Sequence, residues 1–560
     1  MTTTATTATT VIEPLVLGDR PLTLDDLVAV ARHHRPVALG AAAEKAMAPS
    51  AAWIARLTDD MAEGEAARPV YSVNTGFGSL AGRQAFEAPE DAVELSRRLI
   101  VSNACGVGRH CAEDVVRATM LIRASSLARG YSGVRPDVVH TLLAMLNSGV
   151  HPAIPEYGSL GASGDLIPLA HLALALSRPA TGTDPDEDSG LAHHDGELVS
   201  GCAAMAAAGI DRLALGAKEG LALTNGTSYS TAMCALALAD AENLLATAEV
   251  TAAMSIEALL GFGDAFLPQL HEARGHPGQI ATAARLRELL DGSAFVDGAA
   301  DTDPVRQPPQ DAYSLRCVPQ VLGPVRDTLG FVHGIVETEL NAATDNPLVV
   351  PGLPRDLKAV SGGNFHAQYL AFASDFLSIA VTEIGSIAER RLFRLNDGTL
   401  NRGLPDMLVD GEKVGMDCGY MLPQYLAAAL VSDCKTLAHP DSVDSIPTCS
   451  NQEDHVSMAS NAGRHARQVV ANIEAVVATE LLMAGQALEL RLAEQGREAE
   501  ALAPATRGAL DRLRATPATD GRPIDHLTRD VVMYPRVHAA LALVRSGAVV
   551  EAADGARQVV

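Results

Sequence analysis

The stretch Gly158–His171, GSLGASGDLIPLAH, crowds small residues ahead of an acid, an apolar run and a histidine. Ser163 lies at its centre, and two serine chemistries can be tested against the spacing. A hydrolase nucleophile needs G-x-S-x-G at a strand-to-helix turn, whereas the residue two after Ser163 is Asp165 and no strand pattern precedes it. A phosphate loop needs Gly-Lys-Ser/Thr after its glycines, which is absent. On its own, Ala162-Ser163-Gly164 is a loop of common residues, and its use must come from the elements around it.

Those elements read as helices. In GVRPDVVHTLLAMLNSGV the residues Val138, Val139, Leu142, Leu143 and Leu146 form one helical stripe, Pro136 suits a first turn and Gly149 a helix end. The irregular HPAIPEYGSLGASG then leads into a packed helix, DLIPLAHLALAL, so the small residues mark a junction. Farther on, Val469, Ile473, Val476, Val477 and Leu481 recur at i, i+4, i+7, i+8 and i+12, a helix of many turns. The segments beginning SDFLSIAV and AENLLATA look similar, and helices of this length bury their stripes only against one another. The expected fold is all-α (mainly α), a long central bundle with a smaller N-terminal region. The expected divisions are a disordered tail over 1–14, an N-terminal region over 15–220, the bundle over 221–490 and a C-terminal helical region over 491–560. The Pro/Asp/Gly-rich SRPATGTDPDEDSGLAHHDGELVSG reads as a surface excursion, with His193 and His194 solvated. No metal site is expected, since no H-E-x-x-H pattern is near.

A chain of 560 residues with 48% hydrophobic but only 4% aromatic residues favours packed helices and needs no staples. Its net charge of −25 argues against nucleic acid or an anionic membrane as partner, because phosphate binding requires a basic face. A small molecule is the expected partner. Eight cysteines without a C-x-x-C pair read as reduced, mostly buried thiols. The start MTTTATTATTVIEP has neither a basic nor an apolar leader region, so a soluble, cytoplasmic protein is expected.

Seven blocks in order carry a resemblance. They are YSVNTGFGSLAG from Tyr71, GSLGASGDLIPLAHLALAL, KEGLALTNGTS from Lys218, QDAYSLRCVPQVLG from Gln310, TDNPL from Thr344, SGGNFHA from Ser361, and KTLAHPDSVDSIPTCSNQEDHVSMA from Lys435. Together they resemble the aromatic amino acid ammonia-lyases and aminomutases, and most of all the histidine ammonia-lyases. In that family an internal Ala-Ser-Gly cyclises and loses water to form 4-methylideneimidazole-5-one (MIO). The resemblance implies that Ala162, Ser163 and Gly164 form MIO autocatalytically, with no diffusible cofactor.

Such chemistry answers a real difficulty. Eliminating ammonia from an α-amino acid means removing a barely acidic β-proton while expelling a poor leaving group, and ordinary side chains offer bases but no electrophile. Attack of the Gly164 nitrogen on the Ala162 carbonyl needs a residue lacking Cβ at the bend, and dehydration of Ser163 then leaves an electrophilic methylidene. By resemblance, Asp165 is the acid associated with ring formation; as a bare residue it is equally a helix N-cap. Tyr71 resembles the lid tyrosine that takes the β-proton, a task calling for a phenol of lowered pKa. Arg316 resembles the arginine whose planar fork holds the substrate carboxylate. Asn225, Gln310 and Tyr313 resemble polar residues around MIO and the carboxylate, and Phe365 an aromatic pocket wall.

Side-chain recognition is where this chain departs from the histidine lyases. Where they usually read Ser-His, it has Ser102-Asn103, and where they usually read Ser-Glu-Asn it has Asp433 after serine. The resulting pocket is polar and slightly larger, which ranks histidine or a histidine-like ring first and tyrosine second. Phenylalanine follows, because Ser102 and Asn103 are not the aromatic pair of phenylalanine-specific relatives. The expected reaction is release of ammonia and a trans-arylacrylate. A 2,3-aminomutase with the same group is the alternative, and a non-catalytic helical homologue the remote one. The resemblance further implies a homotetramer with active sites shared between chains.

Overall fold

Pro136 opens the helix Pro136–Asn147 at its first turn, all five residues of the expected stripe are buried, and Gly149 follows with φ 71°. Each such aliphatic side chain withdrawn from water contributes about 1.5–3 kcal/mol. The same logic builds the longest helix, Ala459–Gln495, in which Val469, Ile473, Val476, Val477 and Leu481 expose no surface. It also builds Ser228–Ala258, Val318–Leu340 and Gln368–Asn396. These elements come from a computed structural model that describes residues 13–62, 69–82, 88–296, 310–354, 358–411 and 415–558. Of the tail expected over 1–14, residues 1–12 lie outside the described residues.

The mainly helical class expected from composition is the one observed. Two helices, Gln368–Asn396 and Ala459–Gln495, are long and apolar enough to cross a membrane, but 67% and 83% of their most apolar windows are buried within the protein. They are core helices.

Small sheets accompany the helices, and one corrects the sequence reading. The stretch taken as a surface excursion contains the strands Leu191–His194 and Glu197–Ser200, paired antiparallel and joined to His151–Pro152. The signal was Asp195-Gly196: both hold positive φ, 50° and 82°, as a tight two-residue hairpin turn requires. His193 and His194 are consequently half-buried on a strand instead of solvated, with the His193 ring edge-on to His110 at 5.6 Å. The cysteines also depart from expectation. Only Cys234 and Cys434 are buried, because the other six fall at element ends and in loops.

The chain divides into two compact units, each discontinuous in sequence. The first comprises Met1–Leu236, Gly334–Ala373 and Pro440–Arg464. Its helix Glu113–Ala128 is buried on nearly every side and carries Arg117 inward, where the guanidinium donates to the carbonyls of Val30 and Leu146. The second comprises Ala237–His333, Ser374–His439 and His465–Val560. Its interior holds the Arg391–Glu480 ion pair, and Glu480 also accepts from Thr251 at 2.9 Å and Ser255 at 2.8 Å. A buried carboxylate is tolerated only when partnered in this way.

Candidate active site

The GSLGASGD segment is held in the first unit by its own small residues. Gly161 and Gly164 hold φ of 71° and 69°, the left-handed region where a side chain is strained. A Cβ at Gly164 would collide with the Gly226 carbonyl, to which the Asp165 amide donates at 2.8 Å. One at Gly161 would strike Ser457 Oγ, so the segment is pressed between Gly226 on one side and residues 457–460 on the other. Close backbone approach is thus the reason for the glycines.

Asp165 is fully buried at the start of helix Leu166–Leu176, but its side chain makes no capping bond. Oδ1 accepts from the hydroxyls of Ser159 (2.8 Å), Ser230 (2.7 Å) and Ser460 (2.9 Å), while Oδ2 accepts from the Ser230 amide at 2.8 Å. Burial pushes its pKa up, and these four bonds oppose the rise. Asp165 does stand at the N-cap position of its helix, but its carboxylate ties together three chain segments instead of bonding to the helix's first amides.

Ser163 is gripped at both ends. Its carbonyl accepts from Asn225 Nδ2 at 2.8 Å, and its hydroxyl donates to Glu453 Oε1 at 2.6 Å. Behind Asn225 stands Arg123, wholly buried, whose NH1 donates to the Asn225 carbonyl at 2.6 Å. Burial lowers the pKa of this guanidinium to about 10, with Asp345 and Asp165 opposing. Asn225 Oδ1 is buried without a partner among the described residues.

Tyr71 lies in the Tyr71–Leu80 turn region, where its phenol oxygen accepts from the Gly78 amide at 2.8 Å. The lowered pKa that proton abstraction calls for is not found in this arrangement. Burial pushes the phenol upward, the Gly78 amide offsets part of this, and the neighbouring Cys449 and Glu453 raise it further. Ser79 N donates to Cys449 Sγ at 3.2 Å, so the segment bearing Glu453 also meets the turn bearing Tyr71.

Of the residues assigned from sequence, the first unit thus brings together Tyr71, Ala162, Ser163, Gly164, Asp165 and Asn225. Ser102 and Asn103 end the helix Pro89–Asn103; Ser102 is exposed and returns its hydroxyl to Leu99, whereas Asn103 Nδ2 is buried without a partner among the described residues. Phe365 is half-buried in a turn. Gln310, Tyr313, Arg316 and Asp433 belong to the second unit. There Tyr313 is 71% exposed and Arg316 stacks over its ring at 4.7 Å. Arg316 Nε donates to the Asp311 carbonyl at 2.9 Å, leaving its two terminal nitrogens without partners among the described residues. Asp433 lies on the exposed face of Met421–Leu437 and accepts from Asn472 at 3.0 Å.

Sequence reasoning overlooked Glu453. It lay inside a quoted block, NQEDH, where nothing distinguished it from Asp454 beside it. Only the fold places it on Ser163, 290 positions away.

The buried Asp165 carboxylate and the close glycine contacts pack around Ala162-Ser163-Gly164, and comparison with known proteins shows the family. The Aromatic amino acid lyase family model matches residues 22–515. The chain is 45% identical over 545 residues to the histidine ammonia-lyase of Clostridium tetani, covering 97% of this chain and 98% of that one. Among solved structures it is similar to tyrosine aminomutase from Streptomyces globisporus, with TM-score 0.85, 34% identity and coverage of 96% and 98%. It is also similar to histidine ammonia-lyase from Trypanosoma cruzi, with TM-score 0.83, 35% identity and coverage of 97% and 96%. The chain belongs to the aromatic amino acid lyase family and is a carbon–nitrogen lyase.

Proposed function

We propose that this enzyme eliminates ammonia from L-histidine to give trans-imidazolylacrylate, using MIO formed from Ala162, Ser163 and Gly164. The observation that carries the MIO assignment is the grip on Ser163: Asn225 on its carbonyl, Glu453 on its hydroxyl, and Gly164 bent into a conformation that only glycine holds freely. Histidine as substrate is supported by the curated relative from Clostridium tetani, which matches nearly end to end.

The group, once formed, supplies an electrophile for the substrate amine. The other tasks fall to side chains. Asn225 Nδ2 polarises the carbonyl of residue 163, and the buried Arg123 fixes the Asn225 main chain by donating to its carbonyl. The Arg316 fork, with both terminal nitrogens open, clamps the substrate carboxylate, and Gln310 and Tyr313 flank it. Tyr71 removes the β-proton after losing its own, and Phe365 walls the ring pocket. Asn103 offers an unsatisfied amide donor; leaving such a group unpaired costs about 1–3 kcal/mol, which an imidazole nitrogen relieves. Asp433 supplies the acid for the other ring nitrogen, and Ser102 lines the same region.

The same proposal includes a homotetramer, cytoplasmic and without metal or diffusible cofactor. Its support is an exposed apolar stripe on Gln368–Asn396: Tyr369, Phe372, Phe376 and Ile379 follow three- and four-residue steps on one face, and Phe393 is exposed farther along the helix. Leu422, Tyr425 and Leu426 are exposed on Met421–Leu437. A lone chain would leave these surfaces in water, while partner chains would cover them. Sedimentation of the purified protein tests this, and a monomer at micromolar concentration would refute the shared-site arrangement. Ser163→Ala tests the chemistry: turnover is expected to vanish with the helical fold intact, and full turnover would refute the use of MIO.

A further inference from the structure

Glu453 has no role in the elimination as derived above, yet it is the group held most closely against the serine. Its Oε1 accepts the Ser163 hydroxyl at 2.6 Å, and its Oε2 accepts from Thr448 Oγ1 at 2.6 Å, which fixes the plane of the carboxylate. The main chain adds a second constraint, since Thr448 N donates to the Glu453 carbonyl at 3.0 Å and Glu453 N to the Thr448 carbonyl at 3.4 Å. Between them Cys449, Ser450 and Asn451 all hold positive φ, 49°, 53° and 67°, a run that side chains disfavour. Strain of this kind persists where the surroundings dictate a particular placement.

Asp165, the acid adjacent in sequence, is already engaged. Three hydroxyls and one amide occupy its carboxylate, and Ser163 is not among its partners. It anchors the segment without touching the atoms that must react.

We propose that Glu453 is the proton-transfer group that dehydrates Ser163 during formation of MIO, an inference that rests on the MIO assignment above. Ring closure comes first. Gly164 N bonds to the Ala162 carbonyl carbon, and the Ala162 oxygen leaves as water with the protons of Gly164 N and Ser163 N, leaving a carbon–nitrogen double bond. Ser163 Cα is then conjugated to a carbonyl and an imine, so its proton becomes removable. The Glu453 carboxylate takes that proton, the freed electron pair forms the Cα–Cβ double bond, and the Cβ–Oγ bond breaks. The same carboxyl returns the proton to Oγ, which departs as a second water. Glu453 ends as it began, and no oxidant, reductant or co-reactant is consumed. A carboxyl already bound at Oγ reaches both ends of this transfer, because Oγ and the Cα hydrogen lie on adjacent carbons. Thr448 acts as a positioning residue by keeping the carboxylate turned toward the serine.

The test follows maturation by mass, independently of turnover. The full chain is made by cell-free synthesis, and the mass of the proteolytic peptide carrying Ser163 is followed with time. Wild type is expected to lose two waters. Glu453→Gln, which keeps a hydrogen bond but cannot shuttle a proton, is expected to slow the second loss at least about tenfold, with Glu453→Asp between the two. Wild-type timing in Glu453→Gln overturns the role while leaving the MIO assignment intact, whereas a wild-type peptide of unmodified mass overturns the assignment itself. Should Glu453→Gln lack the wild-type helical spectrum, Thr448→Val decides: a several-fold slower second loss supports the role, and wild-type timing overturns it.

Discussion

Asn225 and Ser163 are joined by one hydrogen bond, from the side-chain amide of the first to the carbonyl of the second at 2.8 Å, and the wholly buried Arg123 holds Asn225 from behind. A preorganised donor aimed at the carbonyl of the reacting group is among the costliest features to remove from an active site. Asn225→Ala is therefore expected to lower kcat by about 10²–10³, with the helical spectrum unchanged. Steady-state kinetics with L-histidine measure this. A loss under threefold would mean that the bond serves packing alone.

Arg316 presents two terminal nitrogens without partners among the described residues, while its Nε is tied to the Asp311 carbonyl. Arg316→Lys keeps the charge but loses the planar fork, so KM for L-histidine is expected to rise about ten- to a hundredfold. The effect on kcat is expected to be smaller. An unchanged KM would remove Arg316 from the carboxylate site.

Tyr71 is a buried phenol whose pKa is pushed above the ordinary value, so the ionised form that accepts a proton is scarce at neutral pH. As pH rises toward the raised pKa that form grows tenfold per unit, and kcat/KM is expected to climb with it through the alkaline range. Tyr71→Phe is expected to lose about 10²–10⁴ in kcat and to abolish that limb. A profile flat between neutrality and alkaline pH would assign the β-proton to another base.

Stability has its own titration. Arg117 NH1 donates to His151 Nε2 at 3.0 Å, so that nitrogen must be the unprotonated one, and burial beside the guanidinium lowers the pKa to about 4. A histidine depressed in the folded state stabilises fully above its ordinary pKa near 6.5, and the contribution drains away as pH falls toward 4. The loss is on the order of 3 kcal/mol. Urea unfolding at intervals from pH 7.5 to 4.5 should show His151→Gln less stable than wild type at the top and closing the gap at the bottom. A constant gap would mean that His151 does not titrate on unfolding.

The long helices were legible because their stripes repeat locally: Val469 to Leu481 is a pattern any window detects, and every member is buried. The strand pair around Asp195-Gly196 was missed because a short hairpin carries little periodicity, and the acidic, proline-rich residues before it masked the turn signal. The Ala-Ser-Gly motif was recognisable by resemblance, as were Tyr71 and Asn225, but what surrounds them was not. Glu453 meets Ser163, and Ser230 and Ser460 meet Asp165, across long stretches of chain. Such juxtapositions exist only once several helices have packed. Nor could the raised pKa of Tyr71 be anticipated, because its causes are burial and two neighbours more than three hundred residues away.

The substrate is the claim on which the rest depends, since Asn103 and Asp433 both depart from the usual histidine-lyase residues. Its most direct test offers the purified enzyme L-histidine, L-tyrosine and L-phenylalanine in competition, with ammonia, arylacrylate and β-amino acid all quantified. The expected result is preferential consumption of L-histidine, with one ammonia released for each trans-imidazolylacrylate formed. Preference for L-tyrosine, or a β-amino acid formed without ammonia, would contradict the account.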